Sequence, residues 1–412
     1  MNCVLGNNSW INRNLLKNSK SRYFISLFLI LTIFYNGCNN SISKQSFCSP
    51  APVAIPQIEQ KGPTSPPEPI TTDYQIGVFY FPGWQTGTIF WKDLLGVTDS
   101  HSPCQSWQER IPLLGLYPEE QTWVADWHIK WAVEHGISFF AYDWFWQNDK
   151  PQLEHALQAH LKSPYKDLLK FCVMWANHDP FIPTLADVPK IADYWISNYF
   201  NKSNYLKFNG RPVVMVFLPD RIGGDPNKTS DAILTIRKLV IDAGDPDIYL
   251  IAISNDTPDP NIINFFRSSG YNAYTPYNYV KPDPRIASYD TMVDQYKTNW
   301  ATALSIGRLP YIVPVTPGWD ARPAQGSGAA VRTGSTPDKF KVMLQNAREF
   351  LDSSGGDIIV PKMLMIEAWN ELGEGAYIEP TKQWEFGSLD ALREVFIAVP
   401  QPHSDEYPEV IK

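Results

Sequence analysis

Apolar positions recur along this chain in two alternating rhythms. Runs of strand length stand at Ile76–Phe81, Ile137–Tyr142, Phe171–Trp175, Val213–Phe217, Tyr249–Ile253, Asn272–Thr275, Tyr311–Val315 and Met363–Ala368. Between them, helical spacing covers Trp123–His135, Gln152–Leu161, Leu185–Tyr199, Asp231–Ala243, Asn261–Arg267, Ser288–Ile306 and Lys339–Ser353, and Leu389–Ile397 closes the series. Strands that are apolar throughout, not alternating, have both faces covered, as parallel strands between helices do. Eight such units predict an α/β fold of one closed (β/α)8 TIM barrel over residues 73–400 rather than an open doubly wound sheet. The sixth unit carries the faintest pattern. No G-x-G-x-x-G follows the first strand and no Walker loop occurs, which removes the usual nucleotide-binding alternatives.

The N-terminal segment follows other rules. Arg13, Lys17, Lys20 and Arg22 precede an apolar run from Tyr23 to Tyr35, which is followed by Asn36, Gly37 and Cys38. Basic residues before a short apolar core are the layout of a secretory signal. Thirteen residues of helix span only about 20 Å, short of the roughly 30 Å hydrocarbon layer, so a stable membrane span is the weaker reading. Residues 1–38 are therefore expected to be a signal segment, ending in lipidation at Cys38, in plain cleavage or in retention as an anchor. Any contact with a membrane is expected through this N-terminus only, and the protein is expected to be exported to the cell envelope or secreted. Residues 39–72, with seven prolines between Pro50 and Pro69, read as an extended linker, and 401–412 as a tail. Cys48, Cys104 and Cys172 show no C-x-x-C spacing. A Cys104–Cys172 or Cys48–Cys104 disulfide is conceivable, but Cys172, in a strand run, reads better as a buried small hydrophobe.

Composition narrows the class. The 412 residues are 44% hydrophobic and 14% aromatic, enough for a large core. With 35 basic against 43 acidic residues and no Lys/Arg block, a nucleic-acid partner is excluded. A mean hydropathy of −0.26 excludes a polytopic membrane protein.

In a barrel of this kind the chemistry lies at the C-terminal ends of the strands. Strand one runs into Tyr80, Phe81, Pro82, Gly83 and Trp84, and strand two into Tyr142, Asp143, Trp144, Phe145 and Trp146. Strand three is followed by Trp175, Asn177, His178 and Asp179, and strand seven by Trp319, Asp320 and Arg322. Aromatic faces beside carboxylates and amides suit a sugar, whose C–H surface stacks on rings while its hydroxyls take hydrogen bonds. The alternative for any one ring is packing under rim loops. The sharpest group follows strand eight: Glu367, Trp369, Asn370, Glu371, Glu374 and Tyr377. Glu371 and Glu374 stand three apart, in a turn with Gly373 and Gly375 that can bring both carboxyls into one pocket. Two carboxyls in different environments divide proton work, one donating and one accepting. Asp143 is a further substrate-binding candidate, or else a buried partner for Arg322 or a backbone amide. Asp320 either binds hydroxyls or caps its own turn. His101, His128, His135, His155, His160 and His403 show no metal-ligand spacing and read as surface or helix positions.

The runs Ala368–Thr381 (AWNELGEGAYIEPT), Pro317–Pro323 (PGWDARP), Phe171–Asp179 (FCVMWANHD), Asn209–Phe217 (NGRPVVMVF) and Ala141–Trp146 (AYDWFW) resemble, in order, the WbsX-like family of glycan-processing proteins, which is related to glycoside hydrolase family 99, the endo-α-mannosidases. Asn370–Gly375 is similar to the N-E-W-H-E-G motif that ends the barrel in family 99. The resemblance implies that Glu371 is the base-like residue and Glu374 the general acid. It also implies a retaining route in which the sugar's own 2-hydroxyl attacks the anomeric carbon, with no metal and no nucleotide cofactor. Leu372 stands where both families place Trp, Gly373 where family 99 has His, and His178 where WbsX-like sequences show Glu. Contacts to the reacting sugar therefore differ, and mannose specificity does not carry over.

Three functions fit these readings: a glycoside hydrolase acting on an outer polysaccharide, a glycosyltransferase of surface-polysaccharide synthesis, and a non-catalytic carbohydrate-binding barrel. Nothing in the sequence resembles a nucleotide-sugar pocket built on a metal-binding D-x-D, which an exported protein would in any case lack a donor to fill.

Overall fold

The eight apolar runs become eight parallel strands closed on themselves. In the computed structural model of the protein they are β1 (Gln75–Tyr80), β2 (Phe139–Gln147), β3 (Lys170–Ala176), β4 (Arg211–Phe217), β5 (Tyr249–Ser254), β6 (Ala273–Pro276), β7 (Tyr311–Val315) and β8 (Ile359–Ile366). Each pairs with its sequence neighbours, and β1 closes the ring by pairing with both β2 (Gly77 opposite Phe139) and β8 (Ile76 opposite Leu364). The structure describes residues 58–96, 106–281, 283–354, 359–398 and 403–409. The signal segment, Cys38, Cys48, Cys104 and His101 lie outside them. Among the described residues no helix is long and apolar enough to cross a membrane.

The helices are α1 (Thr122–Glu134), α2 (His155–Lys162), α3 (Val188–Trp195, running on to Phe200), α4 (Thr229–Asp242), α5 (Pro260–Ser269), α6 (Tyr289–Ile306), α7 (Pro337–Ser353) and α8 (Gly387–Phe396). Several start where the local chemistry dictates. Asp259 accepts from the amides of Asn261 and Ile262, Ser288 from Thr291 and Thr336 from Lys339, each satisfying an otherwise orphan N–H of the first turn. Pro260 and Pro337 sit at the first helical position, where the missing N–H costs nothing. A further helix, Ile89–Leu95, lies between β1 and α1 where the sequence pattern showed none. The faint sixth unit has a physical origin: β6 is four residues long and meets β7 at a single pair, Tyr274 with Tyr311.

Two readings change. Residues 58–72, expected as part of an extended linker, pack on the barrel, and so do residues 403–409 of the expected tail. Both lie over α1. The Trp127 indole donates to the Lys61 carbonyl, the Trp131 indole to the Glu406 carbonyl, and the Ile70 amide to the Val133 carbonyl. This cover explains how α1 buries Lys130 and Glu134: the Lys130 ammonium donates to Glu134 Oε1 at 2.7 Å and to Ser65 Oγ at 3.0 Å. The histidines change too. His128 and His160 are helix residues but are buried, bonded to the barrel hydroxyls of Tyr80 and Tyr142, and burial lowers His160 to about 4. Cys172 is a buried free thiol, so the Cys104–Cys172 pairing does not form.

Inside the barrel, β1 has room for no side chain at Gly77, where a Cβ would collide with the Phe139 ring and the Met365 sulfur. Because both neighbours are fully buried and close-packed, relief requires the strands to shift. Gly77→Ala is therefore expected to lower stability by about 1–3 kcal/mol in urea unfolding. An unchanged midpoint would mean that the strands give way at this position.

Candidate active site

The chain leaves β8 through Glu367 and forms a tight hairpin in which Asn370 pairs with Tyr377 and Glu371 with Ala376. The Glu374 amide donates to the Glu371 carbonyl at 3.1 Å, which places the two glutamates on one turn. Close backbone approach fixes that turn against the loop after β7. A Cβ on Gly375, whose φ is +69°, would stand 2.7 Å from the Asp320 amide, and one on Gly318 2.8 Å from the Gly375 carbonyl. Only glycine fits at these two positions. The Asp320 amide donates to the Glu374 carbonyl at 2.7 Å, and Arg110 Nη1 to the carbonyls of Leu372 and Asp320.

Four carboxyl groups converge at this end of the barrel: Asp143 from β2, Glu367 at the end of β8, and Glu371 and Glu374 from the hairpin. Glu371 is 5% exposed and Glu374 and Asp143 3%. Burial pushes all four carboxyls up. Glu374 rises well above the carboxylate range by burial and then by the charges of Glu371, Glu367 and Asp143. Asp143 rises for the same reason with Glu371 and Glu367 as neighbours, and Glu367 rises even though Asn278 Nδ2 donates to it at 2.7 Å and Thr316 Oγ1 at 3.1 Å. Glu371 is pushed up to about 8 by burial. Asp143 Oδ1, Glu371 Oε1, Glu374 Oε2, the Tyr277 hydroxyl and the Trp319 indole make no hydrogen bond. Buried polar atoms without partners are costly, and hydroxyl groups of a ligand would satisfy them.

The other expected site residues separate into distinct groups. Asp143 joins the acid cluster and not Arg322, which instead grips Asp320 through Nε and Nη2 at 2.8 and 2.7 Å. Asp320 is therefore no free acceptor for hydroxyls: burial raises its carboxyl, but Arg322 and Arg110 outweigh this and leave it below the usual range. Asn370 is spent on the backbone, its amide bonding both N–H and C=O of Phe81. Trp84 donates to the Asn370 carbonyl and packs on Trp91, so both are braces between β1 and the hairpin. Tyr80 and Tyr142 face the helices through His128 and His160. Trp144 donates to the Tyr199 hydroxyl, and Trp175 lies edge-on to Trp195, both directed outward at α3. Asn177 donates to the Phe217 carbonyl. His178 keeps Nδ1 on the Asp179 carbonyl at 2.9 Å, and its Nε2, buried among Phe145, Phe181 and Phe217, has no partner. Tyr377 lines a pocket of about 510 Å3 beside the turn, with Trp107, Arg110, Asp320, Arg332 and Trp384, but neither glutamate lines it. The expected hollow thus adjoins the acid pair without surrounding it. Tyr277, Asn278, Thr316 and Arg110 were not singled out from the sequence; the first two follow the faint sixth strand.

The sequence profile of the family described as Glycosyltransferase WbsX matches residues 97–180 and 185–392, more than half of the chain. The chain belongs to this WbsX family. The curated relatives are two proteins printed as "Uncharacterized protein WxcX" from strains of Xanthomonas campestris pv. campestris. One is 25% identical over 396 residues, covering 88% of this chain and 55% of the relative; the other is 26% identical over 341 residues, covering 77% and 47%. The chain thus spans about half the length of these relatives. Among solved structures, a "Glycoside hydrolase-like protein" superposes with a TM-score of 0.60 at 17% identity over 86% of this chain and 98% of its own. The family 99 endo-α-mannosidase from Bacteroides thetaiotaomicron superposes with 0.56 at 15% over 79% and 96%. At these identities the likeness is one of fold, and it places this WbsX member on the same barrel.

The raised carboxyls make a stability prediction. A group whose pKa is higher folded than unfolded binds more protons in the folded state, so its contribution falls as pH rises from the ordinary carboxylate range to the folded value. Wild-type stability is expected to decline between about pH 5 and pH 8, by on the order of a few kcal/mol. Glu371→Gln should flatten that decline and be the more stable form at pH 8. Parallel pH profiles for the two proteins in chemical denaturation would refute the buried acid cluster.

Proposed function

We propose that this WbsX-family barrel is a glycoside hydrolase that cleaves a glycan with retention of anomeric configuration. The observation that carries the reading is the pairing of Glu371 and Glu374 on one buried turn, with different partners. Glu374, repelled by three carboxyl neighbours, keeps its proton and is suited to protonate a departing glycosidic oxygen. Glu371, raised by burial and not by its acidic neighbours, is the member of the pair that can give up its proton and act as base.

The two roles combine without a covalent bond to the enzyme. Glu371 takes the proton of the sugar's 2-hydroxyl, the freed oxygen attacks C1, and Glu374 protonates the leaving oxygen as the glycosidic bond breaks. Water then opens the strained sugar at C1. Glu374 takes that water's proton, Glu371 returns its own to O2, and two displacements restore the starting configuration. Asp143, whose Oδ1 has no partner, is the proposed contact to a further hydroxyl of the same sugar.

The alternative, transfer from a nucleotide sugar, calls for positive charge or a metal ion at the departing phosphate, the latter commonly held by a D-x-D pair. The single D-x-D triplet, Asp245-Pro246-Asp247, precedes β5 at the opposite end of the barrel. Its carboxylates are already paired with Lys207 and Arg237. Export to the cell envelope, by a lipid at Cys38 or by secretion, is proposed on the N-terminal layout alone, and it would place the hydrolase where polysaccharide is found.

Glu374→Gln is expected to lower kcat by about 10²–10⁴-fold on a cleaved glycan while retaining binding. Product analysis by NMR should show the retained anomer first. Full activity in the variant, an inverted product, or wild-type turnover that needs a nucleotide sugar would each overturn the reading.

A further inference from the structure

At the other end of α1, well away from the acid cluster, three side chains that the proposed reaction does not use converge on one point. His135 follows the last residue of α1 and is fully buried, its ring parallel to Phe386 at 6.0 Å. Its Nδ1 lies 2.7 Å from the Trp131 carbonyl and so carries a proton, which leaves Nε2 with a bare lone pair. That Nε2 is buried and makes no hydrogen bond, although Asp405 Oδ1 is 3.3 Å away and Asp390 Oδ1 3.8 Å. From the C-terminal segment, His403 Nε2 approaches the same Asp405 oxygen at 2.9 Å. One ligand atom from each of His135, His403 and Asp405 lies within 4.8 Å of the others.

A bare imidazole nitrogen does not face a carboxylate oxygen unless something positive sits between them. A proton on Nε2 would create an imidazolium, but the contact lacks hydrogen-bond geometry, so a proton would leave the nitrogen unsatisfied. An ion placed between the donors satisfies all three. We propose that His135, His403 and Asp405 bind a divalent transition-metal ion. Two neutral imidazoles and a carboxylate suit zinc, which takes nitrogen and oxygen ligands at about 2.0–2.2 Å in a tetrahedral sphere. Asp390 stands behind as a possible fourth oxygen ligand. The backbone carbonyl on Nδ1 is the outer partner that sets the tautomer and aim of a metal-bound histidine. His403 and Asp405 are less buried than His135, which leaves the site open on the side of the tail.

The ion's role follows from what the tail covers. Glu406, next to Asp405, receives the Trp131 indole on its carbonyl, and its carboxylate accepts from the amide and hydroxyl of Thr64 at 2.6 and 2.7 Å. Fixing residues 403–405 on α1 therefore also holds the 58–70 segment. The metal acts as a staple that closes the cover of α1, and it contributes to stability rather than to glycan chemistry.

The test uses the full chain stripped with EDTA and titrated with zinc alone, with bound metal counted by plasma mass spectrometry. Expected results are one zinc per chain, a melting temperature raised by a few degrees at saturation, and visible bands of tetrahedral geometry when cobalt(II) replaces zinc. His403→Ala and Asp405→Asn, in the less buried segment, should each weaken zinc binding at least tenfold while melting close to the stripped wild type. The proposal is overturned if wild type takes up no zinc at micromolar concentration, or if both variants bind it unchanged. It is also overturned if zinc binds but leaves the melting temperature of the stripped chain unchanged.

Discussion

Four carboxyl groups held out of water with no cation among the charges that shift them is the constraint around which this barrel is built. Ionised together at low dielectric they would repel one another, so burial and mutual charge both favour the protonated forms. The cations nearby are deployed elsewhere. Arg110 and Arg322 stack on Trp107 and clamp Asp320 on the outer side of the β8 hairpin. Had either guanidinium entered the cluster, Glu371 and Glu374 would titrate as ordinary carboxylates and neither could donate a proton at neutral pH.

That separation of charge rests on backbone contacts. The glycines at 318 and 375 let the loop after β7 touch the hairpin, and the Asp320 amide then caps the Glu374 carbonyl. On the other side, Asn370 reads both polar groups of Phe81 and ties the hairpin to β1. The glutamates are thus carried by a turn pinned at both edges, which suits groups whose proton affinities depend on small distances.

Most of the fold was legible because a parallel barrel writes itself as apolar runs alternating with helical spacing, and all eight runs are strands. The acid pair was legible because it stands three residues apart past the last strand. The aromatic residues were not, for a reason of parity. Along β2, Tyr142 and Trp144 flank Asp143, and successive side chains of a strand point to opposite faces. With Asp143 inside the barrel its neighbours must face the helices, where they meet His160 and Tyr199. Proximity to a strand end was taken as proximity to the site, and the alternation decides otherwise. Tyr277 and Asn278 were hidden by the brevity of β6. The linker and tail misled because proline content reports chain stiffness, and a stiff segment can still lie along a helix that offers it two indole donors.

The family description and the fold neighbours pull toward different chemistries, and the charge in the barrel mouth bears on the choice proposed above. A nucleotide-sugar donor departs as a phosphate anion, which calls for positive charge or a metal ion at the leaving group. Asp143, Glu367, Glu371 and Glu374 supply no such charge. A glycosidic oxygen leaves as an alkoxide unless it is given a proton, and a carboxyl forced to keep its proton by three acidic neighbours is a source of one. The electrostatics of this site therefore support the proposed breaking of a sugar–sugar bond.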